Sequence, residues 1–315
     1  MTVDPFLYEF CFSITLDYFT GFYLKLVFFL IRLYLYSVVF SCSSEMSLFA
    51  KSDLIEIRDV WSDNLEKELT TIGDIVDRFP YIAMDTEFPG IVLEPVGCND
   101  LTFKYQHMKV NIDILKLIQI GFTFFDEQGN LPPRGIDNKY CIWQFNFREF
   151  NPAEDVYFSD SIELLRGSGI DFKTNNEKGI HVSQFSQLLT TSGAVLNNKM
   201  TWVGFHSAND FGFLVKLLSG KNMPDTQTEF FELINTYFPV IYDIKHIIRY
   251  RNDLHGGLSK LAESLGIERV GVSHQAGSDS LVTAGIFKKL KDSYFTESHS
   301  LDKYAGVLYG LEVRD

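Results

Sequence analysis

Leu65, Leu69, Ile72 and Val76 recur at helical spacing, and Asp77-Arg78-Phe79-Pro80 then interrupts the pattern, so a helix ends there. Tyr81 to Phe88 follows as a strand, and Ile55 to Val60 upstream is strand-like as well. The run Leu115 to Phe125 is strongly apolar and Asp126-Glu127-Gln128-Gly129-Asn130 is a turn. Beyond it Cys141, Trp143, Phe145 and Phe147 alternate with Tyr140, Ile142, Gln144 and Asn146, which predicts a strand pair. Thr201 to His206 is a further strand leading into a helix with the stripe Phe211, Leu214, Val215 and Leu218, closed by Gly220 with Pro224 beyond. A later helix carries Val282, Ile286 and Leu290. No repeat or low-complexity tract interrupts this series. The architecture expected from Met46 onward is one α/β domain, residues 46–315, with a mixed central sheet flanked by helices and its chemistry at strand ends and helix starts.

Composition changes the picture at one place. Residues 1–45 hold 13 of the chain's 47 aromatic side chains, more than twice the density of the rest. Residues 18–40 approach the length of a membrane span, but Lys25 and Arg32 lie inside it, and the longest uncharged apolar run is only Leu26 to Ile31. No basic stretch precedes the apolar one, as a secretory signal would require. The expectation is therefore no membrane anchor, with Met46 as the start of the folded protein and residues 1–45 as an extension. Cys98 and Cys141 are the only cysteines after that point, far apart and in no Cys-x-x-Cys pattern, and the chain has no Asn-x-Ser/Thr sequon; both suit an intracellular protein without disulfides or zinc. Across 315 residues, 28 basic against 41 acidic side chains give a net charge of -13. A broad basic face for nucleic acid is not expected.

The candidate chemistry begins at Asp85-Thr86-Glu87. Residues two apart on a strand share a face, so Asp85 and Glu87 stand side by side and repel unless a cation lies between them. A lone Asp-x-Glu is more often the polar edge of a half-buried strand. Asp210 falls in the first turn of the helix after Thr201 to His206, where an ordinary cap would also sit. His274 precedes Asp279 by five residues at the start of the last helix, and each has the same kind of local reading, a loop histidine and a cap. Together they are specific. Four carboxylates from three segments can hold two divalent cations in the arrangement that clamps attacking and leaving oxygens in phosphodiester cleavage. Oxygen ligands suit Mg²⁺ or Mn²⁺, and a histidine nearby supplies a base for the attacking water. Bound metal would also supply the positive field that the acidic surface lacks. Asp85→Ala and Asp279→Ala are each expected to abolish activity and to leave stability unchanged or raised, because each relieves carboxylate repulsion. Tyr242, Asp243 and His246 sit among apolar neighbours and read as a core strand-helix segment, and His255-Gly256-Gly257 as a turn.

The constellation, together with Ile57-Arg58-Asp59-Val60-Trp61, Leu117-Ile118-Gln119-Ile120-Gly121, Trp143-Gln144-Phe145-Asn146-Phe147, Phe238-Pro239-Val240-Ile241-Tyr242-Asp243 and His274 to Leu281, resembles the Pop/Caf deadenylase family, the poly(A)-specific ribonuclease subunit of the Ccr-Not complex, within the DEDDh exonuclease superfamily. The resemblance runs from Met46 to about Gly310. It implies an RNase H-like fold, metal binding by Asp85, Glu87, Asp210 and Asp279, and His274 as general base. It further implies 3′-to-5′ shortening of poly(A) RNA, and not DNA, with release of 5′-AMP. Partners implied are the Not scaffold and a nuclease with leucine-rich repeats, and the implied location is nucleus and cytoplasm. The family usually has Gly-Tyr before the third carboxylate, where this chain has Ala208-Asn209. Loss of that aromatic bears on base stacking, worth about 1–3 kcal/mol per base, and so on substrate preference. Two other readings stay open at this level: a non-catalytic scaffold, and a DEDDh nuclease of other nucleic-acid specificity.

Overall fold

The computed structural model describes residues 54–94, 100–134, 139–251, 253–295 and 301–312. The expectations for residues 1–45, Met46 and Cys98 lie outside them. The strands are β1 (Ile55–Val60), β2 (Tyr81–Glu87), β3 (Gln119–Phe125), β4 (Pro133–Arg134), β5 (Lys139–Asn146), β6 (Thr201–Gly204) and β7 (Val240–Asp243). They form one mixed sheet in the order β1-β5-β3-β2-β6-β7, with β4 beside β5. β2, β3 and β5 run as neighbouring antiparallel pairs, whereas β1 joins β5, β6 joins β2 and β7 joins β6 in parallel. The strand pair expected from alternation is β3 with β5, in register Gly121 to Gln144. Every residue of β3 is buried, as befits a central strand covered on both faces.

One face carries the main core. Ile82 and Met84 of β2, Phe122 and Phe124 of β3 and Trp202 of β6 pack under α1 (Leu65–Ile75), α2 (Leu101–Ile114), α5 (Val182–Thr191), α6 (Ala208–Ser219) and α7 (Gln227–Tyr237). Aromatic rings meet edge to face there, Phe122 with both Phe145 and Trp202, each pair worth about 0.5–1.5 kcal/mol beyond simple burial. The stripes expected for α1 and α6 face this core, and Gly220 closes α6 in the left-handed conformation at a φ of 63°. The charged mix of α2 hides its apolar positions, so periodicity does not reveal it. α7 does carry a local signal, a capping box in which Thr226 and Glu229 each bond the other's backbone N–H.

The opposite face is crossed by α10 (Ala276–Tyr294), buried almost continuously from Ala276 to Phe287. Small side chains in its first turns let it lie close to β2 and β3. Phe287 touches Tyr81, Phe125 and Tyr242, and Ser280 hydrogen-bonds Thr123 of β3 at 2.8 Å. A separate apolar cluster of Ile118, Phe150, Ile162, Leu165, Ile170 and Phe172 holds α3 (Ser159–Gly167) and α4 (Phe172–Lys178) against the end of β3. The described part also holds two short α-helices, α8 (Ile244–Ile247) and α9 (Leu258–Ser264), and two 3₁₀ turns, Ile248–Tyr250 and Leu301–Tyr304. Among the described residues no helix is long and apolar enough to cross a membrane.

Candidate active site

Asp85 and Glu87 lie at the end of β2 on the face that α10 covers. This is set by strand alternation: Ala83 shares that face, and Met84 points into the main core. Across the β2–β3 ladder Asp85 is paired with Gly121, and a Cβ on Gly121 would stand 1.9 Å from the carbonyl oxygen of Ala276. Only a residue without a side chain lets the first turn of α10 come down here. That approach brings Asp279, in the same first turn, over the strand.

Asp210 arrives from the other face. The β2–β6 ladder stops at Ala83 with Val203, and β6 continues alongside β7 alone. The edge of β2 beyond Ala83 is thereby left open. Asp210, in the first turn of α6, fills it: its Oδ1 accepts the backbone N–H of Thr86 at 3.0 Å and the Thr86 hydroxyl at 2.5 Å. Thr86 lies between Asp85 and Glu87, so the carboxylate of Asp210 is tied to the same three-residue segment and is more than a local helix cap. The loop before α6 is itself held by Asp243, which is wholly buried and accepts the N–H groups of His206, Ser207, Lys245 and Tyr309 at 2.8–3.1 Å. His206 is in the left-handed region at a φ of 58°, a conformation those bonds hold in place. Tyr242, Asp243 and His246 are buried in β7 and α8, as their apolar neighbours imply, and Asp243 supports the site from there.

Asp279 is 5% exposed and makes two contacts outside its helix. Its Oδ2 accepts the N–H of His274 at 2.8 Å, and its Oδ1 pairs with the guanidinium of Arg269 at 2.5 Å. Arg269 also donates to the hydroxyls of Ser278 and Ser259. His274 itself is exposed, in the left-handed region at a φ of 63°. Single ligand atoms of Glu87, His274 and Asp279 lie within 4.8 Å of one another. All five residues singled out from the sequence thus converge on the end of β2. Thr86, Arg269 and Asp243 were not legible, since each acts on a partner distant in the chain.

The electrostatics are those of crowded carboxylates. Burial foremost, then Asp210, Glu87 and Asp279, pushes Asp85 well above the usual range, with Arg269 opposing. Asp85 keeps some solvent contact at the cleft, yet its carboxyl group is enclosed closely enough for desolvation to lead. Glu87 is raised to about 8 by burial, Asp279 and Asp210. Asp210 is raised to about 6, burial outweighing the Thr86 hydrogen bonds that lower it. One guanidinium does not neutralise four acids. The donor set of carboxylate oxygens with one exposed histidine suits a hard divalent cation.

Comparison with known proteins agrees with this geometry. The sequence matches the family described as CAF1 family ribonuclease over residues 60–186 and 181–287. It is 59% identical over 272 residues to the Arabidopsis thaliana protein named probable CCR4-associated factor 1 homolog 7, covering 86% of this chain and 98% of that one. It is 44% identical over 262 residues to the poly(A) ribonuclease pop2 of Schizosaccharomyces pombe, covering 82% and 76%. Among solved structures, S. pombe Pop2p in its Mg²⁺- and Mn²⁺-bound form superposes with a TM-score of 0.75 at 44% identity, over 81% of this chain and 99% of that one. CAF1 from a yeast structure with the NOT1 MIF4G domain superposes with a TM-score of 0.68 at 32% identity, over 82% and 98%. The mixed sheet is the RNase H-like fold expected above. With a match running through every strand from β2 to β7 and both helices that bear the distal carboxylates, the chain belongs to the CAF1 family of ribonucleases.

Proposed function

We propose that this chain is a 3′-to-5′ exoribonuclease that shortens poly(A) tails, with Asp85, Glu87, Asp210 and Asp279 as ligands of two divalent cations and His274 as general base. The observation that carries the reading is the convergence of two strand carboxylates with one carboxylate from each of two helix starts, His274 standing against Glu87 and Asp279. Mg²⁺ or Mn²⁺ held there would supply the positive charge that a phosphodiester needs in a site otherwise negative. The remaining work belongs to the chain. Glu87 and Asp279 flank the imidazole of His274, which takes the proton of the attacking water and, being exposed, passes it to solvent. Arg269 fixes the rotation of the Asp279 carboxylate, and Thr86 that of Asp210. Release of 5′-AMP is the product of that cut at the last linkage.

Poly(A) as substrate rests on the S. pombe relative's name, and a Not scaffold partner on the yeast complex. A nuclease with leucine-rich repeats is the further partner, and nucleus and cytoplasm the location. Ala208 and Asn209 open α6 directly before Asp210, so any base-contacting aromatic must come from elsewhere in the site. The test compares 3′-polyadenylated RNA, poly(U) and single-stranded DNA as substrates, each with Mg²⁺, Mn²⁺ or excess chelator. Loss of 5′-AMP from the adenylated substrate, dependent on metal, is the expected result. Full activity in chelator overturns the metal reading, preference for DNA overturns the substrate, and no cleavage of any substrate leaves the scaffold.

A further inference from the structure

Three buried or half-buried glutamines form a node beneath the start of α10 that the chemistry above does not use. Gln119 of β3 and Gln144 of β5 face α10 from adjacent strands and are 3% and 6% exposed. The Oε1 of Gln119 accepts the N–H of Ala276 at 3.3 Å, and that of Gln144 accepts the N–H of Gly277 at 3.0 Å. The first two N–H donors of the helix are thus satisfied by the floor of the sheet and not by a side-chain cap of the helix's own. The amide nitrogens of the same two side chains converge on one acceptor, the Oε1 of Gln275, at 3.2 and 2.9 Å. Gln275 in turn donates to the carbonyl of Ser168, at the end of α3, at 2.9 Å.

Gln275 follows His274 directly. A histidine in the left-handed region carries a cost of about 1–2 kcal/mol, so the conformation must be held by its neighbours. Asp279 holds the N–H side of His274. On the carbonyl side the next residue is Gln275, whose side chain is anchored at three points. We propose that Gln275 is a positioning residue for His274: the amide node locks the peptide between them and thereby sets the imidazole against Glu87 and Asp279. This rests on the reading of His274 as general base. A base displaced by about 1 Å loses on the order of 10²-fold in rate.

The test is a double-mutant cycle on the full chain with Gln275→Met, which keeps side-chain length and removes the three hydrogen bonds of the Gln275 side chain, and His274→Ala. On polyadenylated RNA at saturating Mg²⁺, Gln275→Met is expected to lower kcat roughly 10- to 100-fold with KM within about twofold. The double variant should be no slower than His274→Ala alone, because a residue acting through another adds nothing once that other is gone. Losses that multiply would overturn the positioning role, as would a wild-type kcat for Gln275→Met beside an impaired His274→Ala; in both cases the base reading stands. A wild-type rate for His274→Ala overturns the base reading and this proposal with it. If Gln275→Met does not fold, Gln275→Glu keeps an acceptor for both amides and should retain kcat within about fivefold, a loss as large as that of His274→Ala again overturning the idea.

Discussion

Glu87 titrates near 8 in the folded protein and near the ordinary carboxylate value when unfolded. Between those limits the folded chain binds the extra proton, so its contribution to stability is present at low pH and is lost as pH rises through about 8. Asp85 is shifted in the same direction. In chelator, the melting temperature of Glu87→Gln relative to wild type should therefore climb from pH 5 to pH 8.5, because the amide never ionises. A difference that stays constant or shrinks would show that Glu87 is not held in carboxylate repulsion. Binding of Mn²⁺ should correspondingly release protons near neutral pH, measurable by calorimetry in buffers of different ionisation heat. The Arg269 pair also divides two acids that look equivalent in the sequence. Asp85→Asn should abolish cleavage and raise stability of the metal-free protein, since its charged neighbours are three acids, Asp210, Glu87 and Asp279, against the one guanidinium of Arg269. Asp279→Asn should abolish cleavage and lower stability by about 1–3 kcal/mol, because it leaves a largely buried Arg269 without its partner. Relief of carboxylate repulsion is therefore still expected on substituting Asp85, whereas at Asp279 the ion pair with Arg269 argues for the opposite sign.

At the scale of elements, the placing of α10 decides the site. Its N-terminal turn approaches β3 at Gly121 so closely that a methyl group there would meet the Ala276 backbone. Gly121→Ala must push the turn outward, carrying His274 and Asp279 with it. Cleavage should fall on the order of 10²-fold, with a melting temperature several degrees lower than wild type. Wild-type kinetics for this variant would mean that the helix start tolerates displacement and that the site is less tightly built than its geometry implies. α6 is placed by a different device, the buried Asp243 that gathers four backbone donors from two loops and from the start of α8. The two helices thus approach β2 from opposite faces and meet at one end of it.

For the whole molecule, the net charge of -13 offers a polyanion no broad positive field, so the proposed mechanism requires its positive charge to be local to the site. The first 45 residues lie outside the described structure, and the family match begins at residue 60. Deleting residues 1–45 should leave the rate of poly(A) shortening within about twofold and increase the soluble yield, because aromatic side chains at that density promote association when exposed. Expression of both forms, with sedimentation and a cleavage assay on each, checks it. A truncated chain that cleaves poorly would assign the segment a role in the enzyme.

The strands β1, β2, β3, β5 and β6, the helices α1, α6 and α10, the α/β class and the five candidate site residues were legible from one chain, because alternation, helical stripes and stop signals are local and carboxylates on a strand announce themselves by spacing. What was not legible is how those residues are held. Thr86 and Asp210 are 124 positions apart, and Gln119 and Gln275 are 156 apart. Gln119, Gln144 and Asn146 stood out only as part of a family-like motif, and nothing local says that two of them floor a helix start. Asp243 looked like core and is core, yet it also sets the loop ahead of Asp210. Asp279 had the local signature of a cap, whereas its carboxylate reaches back to His274 and out to Arg269. Short-range sterics and hydrophobic period act within a few residues, so the sequence alone determined the elements and the chemical groups they carry. The early end of the β2–β6 ladder and the close pass of α10 over Gly121 arise from packing between segments far apart in the chain, and only the tertiary structure decided which acids meet, at what distance and with which counter-charge.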